Sequence, residues 1–200
     1  MTSTLSIVLA QLNPVMGDIQ GNLAKARAAR AVHPQADLIL FPELFITGYP
    51  PEDLVLKPAL QADAMAAVHA LAKDTASGPA ILMPTPWVED GALYNAVALL
   101  DAGAVQSVKF KVDLPNYGVF DEKRVFKAGP MPGPFNFRGV RIGVPICEDI
   151  WHPEVCECLA ETGAELLLSP NGSPFEQGKE DVRLNLAVAR VVETGLPLAY

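Results

Sequence analysis

Two hundred residues, half of them apolar and only 19% charged, suit one large domain with a sizeable buried core. A net charge of −8 argues against a nucleic-acid footprint, which needs a clustered basic face, and against a polybasic membrane anchor. No apolar run approaches the length of a membrane span, Met1-Thr2-Ser3-Thr4 lacks the basic start of a secretory signal, and three cysteines leave one unpaired in a monomer, so a reducing cytoplasm is expected.

In chain order, residues 6–12 read as a first strand closed by Asn13-Pro14. Gly17-Asp18 opens a helix over about 19–32, with Leu23, Ala26 and Arg30 near one another on its surface. Residues 37–41 form a second apolar strand that ends at Pro42-Glu43, and Thr47-Gly48-Tyr49-Pro50-Pro51 is a loop. A helix follows over about 58–75, then a third strand over 79–83. Residues 93–100 and 105–110 alternate in polarity around Asp101-Ala102-Gly103, which is a hairpin signal. Residues 140–146 and 166–169 are further strands, separated by a helix over about 153–161 with proline in its first turn. The last helix covers about 180–193 and stops at Gly195. The apolar run 196–200 reads as a strand cut at its middle, so the chain is expected to be a fragment of something longer. Strand–helix alternation with one antiparallel hairpin predicts a layered α/β domain with mixed sheets over residues 1–200.

Three motifs place an ionisable residue just past an apolar run: Phe41-Pro42-Glu43-Leu44, Lys109-Phe110-Lys111-Val112-Asp113-Leu114-Pro115 and Ile146-Cys147-Glu148-Asp149. A cysteine where a strand stops can be held rigidly and still meet a substrate, which makes Cys147 a candidate nucleophile. Glu43 sits among apolar residues, so desolvation suits it to proton transfer. Lys111 can donate to a developing oxyanion. Each also has an ordinary reading: a buried thiol, a cap or salt-bridge partner, and a solvated lysine at a strand end. Together, base, cationic donor and thiol are the parts for acyl transfer through a covalent intermediate. Glu148 and Asp149 are expected to orient the turn or bind neighbouring backbone. Cys156, Cys158 and His152 do not have metal-site spacing, because residues two apart on a helix point to different faces.

The order Glu…Lys…Cys, in Pro-Glu-Leu, Lys-x-x-Leu-Pro and Cys-Glu-Asp contexts, resembles the carbon–nitrogen hydrolase (nitrilase) superfamily. Within it, Leu114-Pro115-Asn116-Tyr117-Gly118-Val119-Phe120-Asp121-Glu122 and Ile146-Cys147-Glu148-Asp149-Ile150-Trp151 are similar to the glutaminase domains of glutamine-dependent NAD synthetases. Phe45-Ile46-Thr47-Gly48-Tyr49-Pro50-Pro51-Glu52-Asp53-Leu54 and Glu193-Thr194-Gly195-Leu196-Pro197 carry the same likeness, which extends from the first strand to Tyr200. Pro145 departs from it, standing where a more ordinary strand residue is common.

The resemblance implies a four-layer α-β-β-α sandwich of two mixed sheets, C-terminally incomplete, with a synthetase domain expected beyond residue 200. It implies Glu43 as general base, Lys111 as oxyanion donor, Cys147 as nucleophile and Glu122 as a second glutamate that orients Lys111. Tyr117, Ser173 and Lys179 look like contacts to the substrate, L-glutamine. The implied reaction is amide hydrolysis through a thioester. The ammonia would serve ATP-dependent conversion of deamido-NAD to NAD in the missing domain. No cofactor or metal is implied for the glutaminase itself; ATP and Mg²⁺ belong to the missing domain. Homo-oligomers are implied. A stand-alone amidase or nitrilase, or a catalytically silent scaffold, are the competing readings. Glu43→Gln and Lys111→Ala are each expected to lose activity without unfolding, and the fragment alone to turn over poorly.

Overall fold

The structure is a computed structural model that describes residues 4–200. Met1, Thr2 and Ser3, on which the secretory-signal expectation rests, lie outside the described residues. The chain folds into two compact units, one of residues up to 108 with 125–127, the other of 109–124 with 128–200.

The first unit carries β1 (Ile7–Leu9), α1 (Ile19–Val32), β2 (Leu38–Leu40), a 3-10 turn (Glu52–Leu56), α2 (Pro58–Asp74), β3 (Ala80–Glu89) and β4 (Ala92–Asp101). β5 (Ala104–Phe110) completes its sheet and leads the chain into the second unit. The sheet order is β1-β2-β3-β4-β5; β1, β2 and β3 run parallel, and β4 runs antiparallel to β3. α1 begins where Asp18 accepts the Gly21 N–H at 2.9 Å, a side-chain cap that satisfies an otherwise orphaned donor. It buries Ile19, Leu23 and Ala26. α2 opens with Pro58, whose missing N–H costs nothing in a first turn. It packs Ala64, Ala67, Val68 and Leu71 inward, against β3 and α1.

Two strands differ from expectation. β1 ends at Leu9 rather than residue 12, because Gln11 and Leu12 donate to carbonyls two residues back, Leu9 and Ala10, and leave the ladder. β3 runs on to Glu89 instead of stopping at Met83, through both Pro84 and Pro86. Leu82 and Pro84 present their carbonyls to Phe41 and Ile46, on the β2 side. The absent proline N–H groups therefore point where β2 has already ended, and the ladder with β4 loses nothing.

The second unit receives α3 (Glu122–Val125, whose last residue belongs to the first unit), then β6 (Phe135–Phe137), β7 (Val140–Gly143), a 3-10 turn (Cys147–Ile150), α4 (Pro153–Glu161), β8 (Leu166–Leu168), α5 (Glu180–Thr194) and β9 (Leu198–Ala199). Its sheet order is β6-β7-β8-β9, antiparallel in the first pair and parallel in the next two. Ile150, Val155, Cys156, Leu159, Ala164 and Leu167 form its core, with Val112, Trp151, Leu196, Leu198 and Tyr200 packed against it. α4 approaches the sheet so closely that a Cβ at Gly143 would lie 2.8 Å from Leu167 and 3.1 Å from Leu159.

Here β7 is shorter than the expected 140–146. Pro145 has no donor for a ladder, and the N–H groups of Ile146 and Cys147 go to Asp149 and Pro170 instead. α3 and β6 were not expected: four and three residues are too few to show a period. The run 196–200 supplies β9, parallel to β8. Cys156 is fully buried and Cys158 half-buried on α4, as expected of helix residues. Each unit is thus a mixed sheet with helices against it, which is the mixed α/β character read from the sequence. Among the described residues no helix is long and apolar enough to cross a membrane.

Candidate active site

Cys147 opens the 3-10 turn that follows β7, with φ +48°. A non-glycine residue in that region carries roughly 1–3 kcal/mol of strain, which the surroundings must over-determine. They do so through backbone: the Cys147 N–H donates to Pro170 O at 3.0 Å, and Asp149 N–H to Ile146 O at 3.0 Å. The Cys147 thiol donates to Asn171 Oδ1 at 2.9 Å and lies 3.6 Å from Ser173 Oγ. Asn171 Oδ1 also accepts the Ser173 N–H at 3.1 Å and its hydroxyl at 2.8 Å, while Asn171 Nδ2 donates to Tyr200 at 3.1 Å. The backbone link from Ser173 to the asparagine two residues before it is an Asx turn.

Lys111 is fully buried just beyond β5. Its ammonium donates to both carboxylate oxygens of Glu122, at 2.9 and 3.0 Å, and Glu122 is itself only 4% exposed. Glu122 sits at the start of α3, its N–H bonded to Pro115 O at 3.0 Å. A solvated lysine at a strand end is thereby excluded, and the expected pairing of Glu122 with Lys111 is present.

Tyr117, Glu148, Ser173 and Lys179 line one cavity of about 230 Å³, together with Trp151 and Arg183. The Tyr117 hydroxyl donates to Glu148, lying 2.9 and 3.0 Å from its two oxygens. Burial raises the Glu148 carboxyl above the ordinary range, partly offset by Tyr117 and by the Lys111 charge. Burial and Glu148 likewise push the Tyr117 phenol up, so it stays protonated as the donor. Also in the lining, Lys179 is paired with Glu176, and Arg183 donates to Pro174 O at 2.5 Å. Asp149, fully buried, accepts from three backbone N–H groups; burial pushes its carboxyl up to about 7, against the pull of the Asp113 and Ile146 N–H groups.

Glu43 belongs to the first unit. It follows β2 in a turn, 1% exposed, and Oε1 accepts from Asn95 Nδ2 at 2.8 Å. The next residue, Leu44, has φ +49° and is wholly buried. Asn22 on α1 anchors the turn by donating to Ile46 O at 3.1 Å. A buried carboxylate in a turn is not the solvated helix cap of the ordinary reading.

The structure therefore joins Lys111 to Glu122, Cys147 to Ser173, and Tyr117, Ser173 and Lys179 around one cavity. The side chains of Glu148, Asn171 and Arg183 were not expected to bear on the site. Only the Asx-turn spacing of Asn171 and Ser173 could have signalled one of them. Among the described residues no group of three or more His, Cys, Asp or Glu side chains is arranged to hold a metal ion.

The family model described as carbon–nitrogen hydrolase matches residues 6–200. A glutamine-dependent NAD(+) synthetase from Rhodobacter capsulatus is 49% identical over 204 residues, covering 100% of this chain and 37% of that protein. The structure of a glutamine-dependent NAD+ synthetase from Acinetobacter baumannii, in complex with ADP, superposes with a TM-score of 0.90 at 37% identity, over 98% of this chain and 38% of that one. A mutant amidase from Nesterenkonia sp. AN1, showing Michael addition of acrylamide at its active-site cysteine, superposes at 0.83 with 30% identity, over 98% of this chain and 78% of that one. The chain thus spans about 37% of the length of the synthetase it matches.

Proposed function

This chain belongs to the carbon–nitrogen hydrolase family, and from that premise we propose that it hydrolyses the side-chain amide of L-glutamine through a Cys147 thioester. The ammonia supplies ATP- and Mg²⁺-dependent conversion of deamido-NAD to NAD in a synthetase domain outside this chain, in a cytoplasmic homo-oligomer. The observation that carries the reading is the cavity lined by Glu148, the residue after Cys147, and by Ser173, whose hydroxyl lies 3.6 Å from the Cys147 thiol. Its lining carries two carboxylates, Glu148 and Glu176, and two cations, Lys179 and Arg183, groups of both signs that can meet an amino acid's ammonium and carboxylate. Its volume of about 230 Å³ falls below the ~300–1,000 Å³ of pockets for larger ligands and suits a molecule of amino-acid size.

In this reading Glu43 takes the thiol proton, and the sulfur attacks the amide carbon of glutamine. Lys111 and the Glu148 backbone N–H hold the oxyanion, donors that are each worth about 2.7–4 kcal/mol when pre-aimed. Glu43 returns the proton to the departing nitrogen, and ammonia leaves the γ-glutamyl thioester. Water, deprotonated by Glu43, then attacks the thioester carbonyl, and glutamate and the free thiol result. Glu122 keeps Lys111 in place. Tyr117, Ser173 and Lys179 hold the substrate. The acrylamide adduct in the Nesterenkonia amidase supports a nucleophilic cysteine in this fold.

Two measurements test this. The intact protein is expected to release glutamate and ammonia from glutamine in equal amounts, and to make NAD from deamido-NAD with ATP. Activity on simple amides but not glutamine would favour the stand-alone amidase; no turnover on any amide would favour the scaffold. The second concerns pH. If ionised Glu148 holds the glutamine ammonium, KM must rise as pH falls through its raised pKa, above the ordinary 4.5. Losing a bond to a charged group corresponds to roughly 10- to 100-fold. Glu148→Gln should give that high KM at every pH; a pH-dependent KM in the variant would assign the titration elsewhere.

A further inference from the structure

The chain leaves β5 at Phe110, so the N–H groups of Val112 and Asp113 have no strand to bond, although both residues are half-buried. Asp149 supplies the acceptor: Oδ1 takes the Val112 N–H at 3.0 Å and the Asp113 N–H at 2.7 Å. Oδ2 takes the Ile146 N–H at 2.8 Å, on the residue that precedes Cys147. One fully buried carboxylate thus links the backbone just after Lys111 to the backbone just before Cys147. On its other side, Lys111 O accepts the Gly129 N–H at 2.8 Å, where any side chain would meet Phe110 at 2.5 Å.

We propose that Asp149 is a positioning residue for glutamine hydrolysis: each of its oxygens clamps a different segment, and together they fix the Lys111 ammonium relative to the Cys147 sulfur. It touches neither substrate nor reacting atoms. The inference rests on the glutaminase reading above. Its energetic logic is that a lysine can aid an oxyanion only if its backbone cannot drift, and a misplacement of about 1 Å costs about 100-fold in rate.

Asp149→Asn keeps the shape but leaves one acceptor oxygen, so one of the two segments must lose its bond. In the intact protein, Asp149→Asn should lower kcat for glutamine by about 100-fold, with KM changed less than about threefold because Glu148, Lys179 and Arg183 stay in place. A folded variant with wild-type kcat overturns the proposal, as does one whose KM alone rises. Asp113→Pro removes one donor while leaving Asp149 intact. If Asp149→Asn does not fold, this variant decides: kcat must fall at constant KM, and unchanged kcat overturns the clamp. A wild-type protein inert towards glutamine fails the functional reading itself; an active wild type with an unaffected clamp variant fails only this inference.

Discussion

Cys147→Ala is expected to abolish the proposed glutamine hydrolysis, with kcat reduced by on the order of 10⁶-fold, the scale on which loss of a nucleophile is felt in an enzyme built around covalent catalysis. Neither remaining thiol can stand in. Cys156 is wholly buried in the second unit's core and burial pushes its thiol up to about 12. Cys158 lies on α4 with its thiol directed to Pro132 O at 3.8 Å. The fold should survive, because alanine keeps the Cβ at φ +48° and the turn is held by backbone bonds and Asp149 rather than by sulfur. Glutamine should still bind, since the cavity-lining Glu148, Lys179 and Arg183 are untouched. Calorimetry on the variant checks binding, and an ammonia assay checks turnover. Retained turnover with full glutamine binding would remove Cys147 from the chemistry.

How far the sequence leads differs by element, for physical reasons. α1 and α4 are read to the residue because their starts are marked by an aspartate cap and a first-turn proline. β3 was cut short by Pro84 and Pro86, which break a strand only when their missing N–H faces a partner; that depends on where β2 ends, some forty residues earlier. The chemistry divides in the same way. Glu43, Lys111 and Cys147 each close an apolar run, so strand-end position alone exposes them to notice. The cavity's Glu148 and Arg183 do not, because they come together only when residues 173–183 fold onto the 117–120 segment. Asp149 was read as a ligand for neighbouring backbone, and it is; that it reaches Val112 and Asp113 as well as Ile146 is a tertiary fact.

Lys111→Ala shows where structure changes an expectation. From sequence, the variant loses activity without unfolding. In the structure the ammonium is fully buried and pairs with Glu122, whose side chain is 6% exposed. Removing one member of a buried pair strands the other charge, at a cost of about 3–5 kcal/mol. The melting temperature of Lys111→Ala should therefore fall by about 10 °C, together with the loss of an oxyanion donor worth about 10²–10³ in kcat. Lys111→Met with Glu122→Gln removes both charges and fills the space, so stability should return while activity stays lost. That split separates the two roles: a Lys111→Ala protein as stable as wild type would mean that Glu122 finds another partner, and a double variant with restored turnover would take Lys111 out of catalysis.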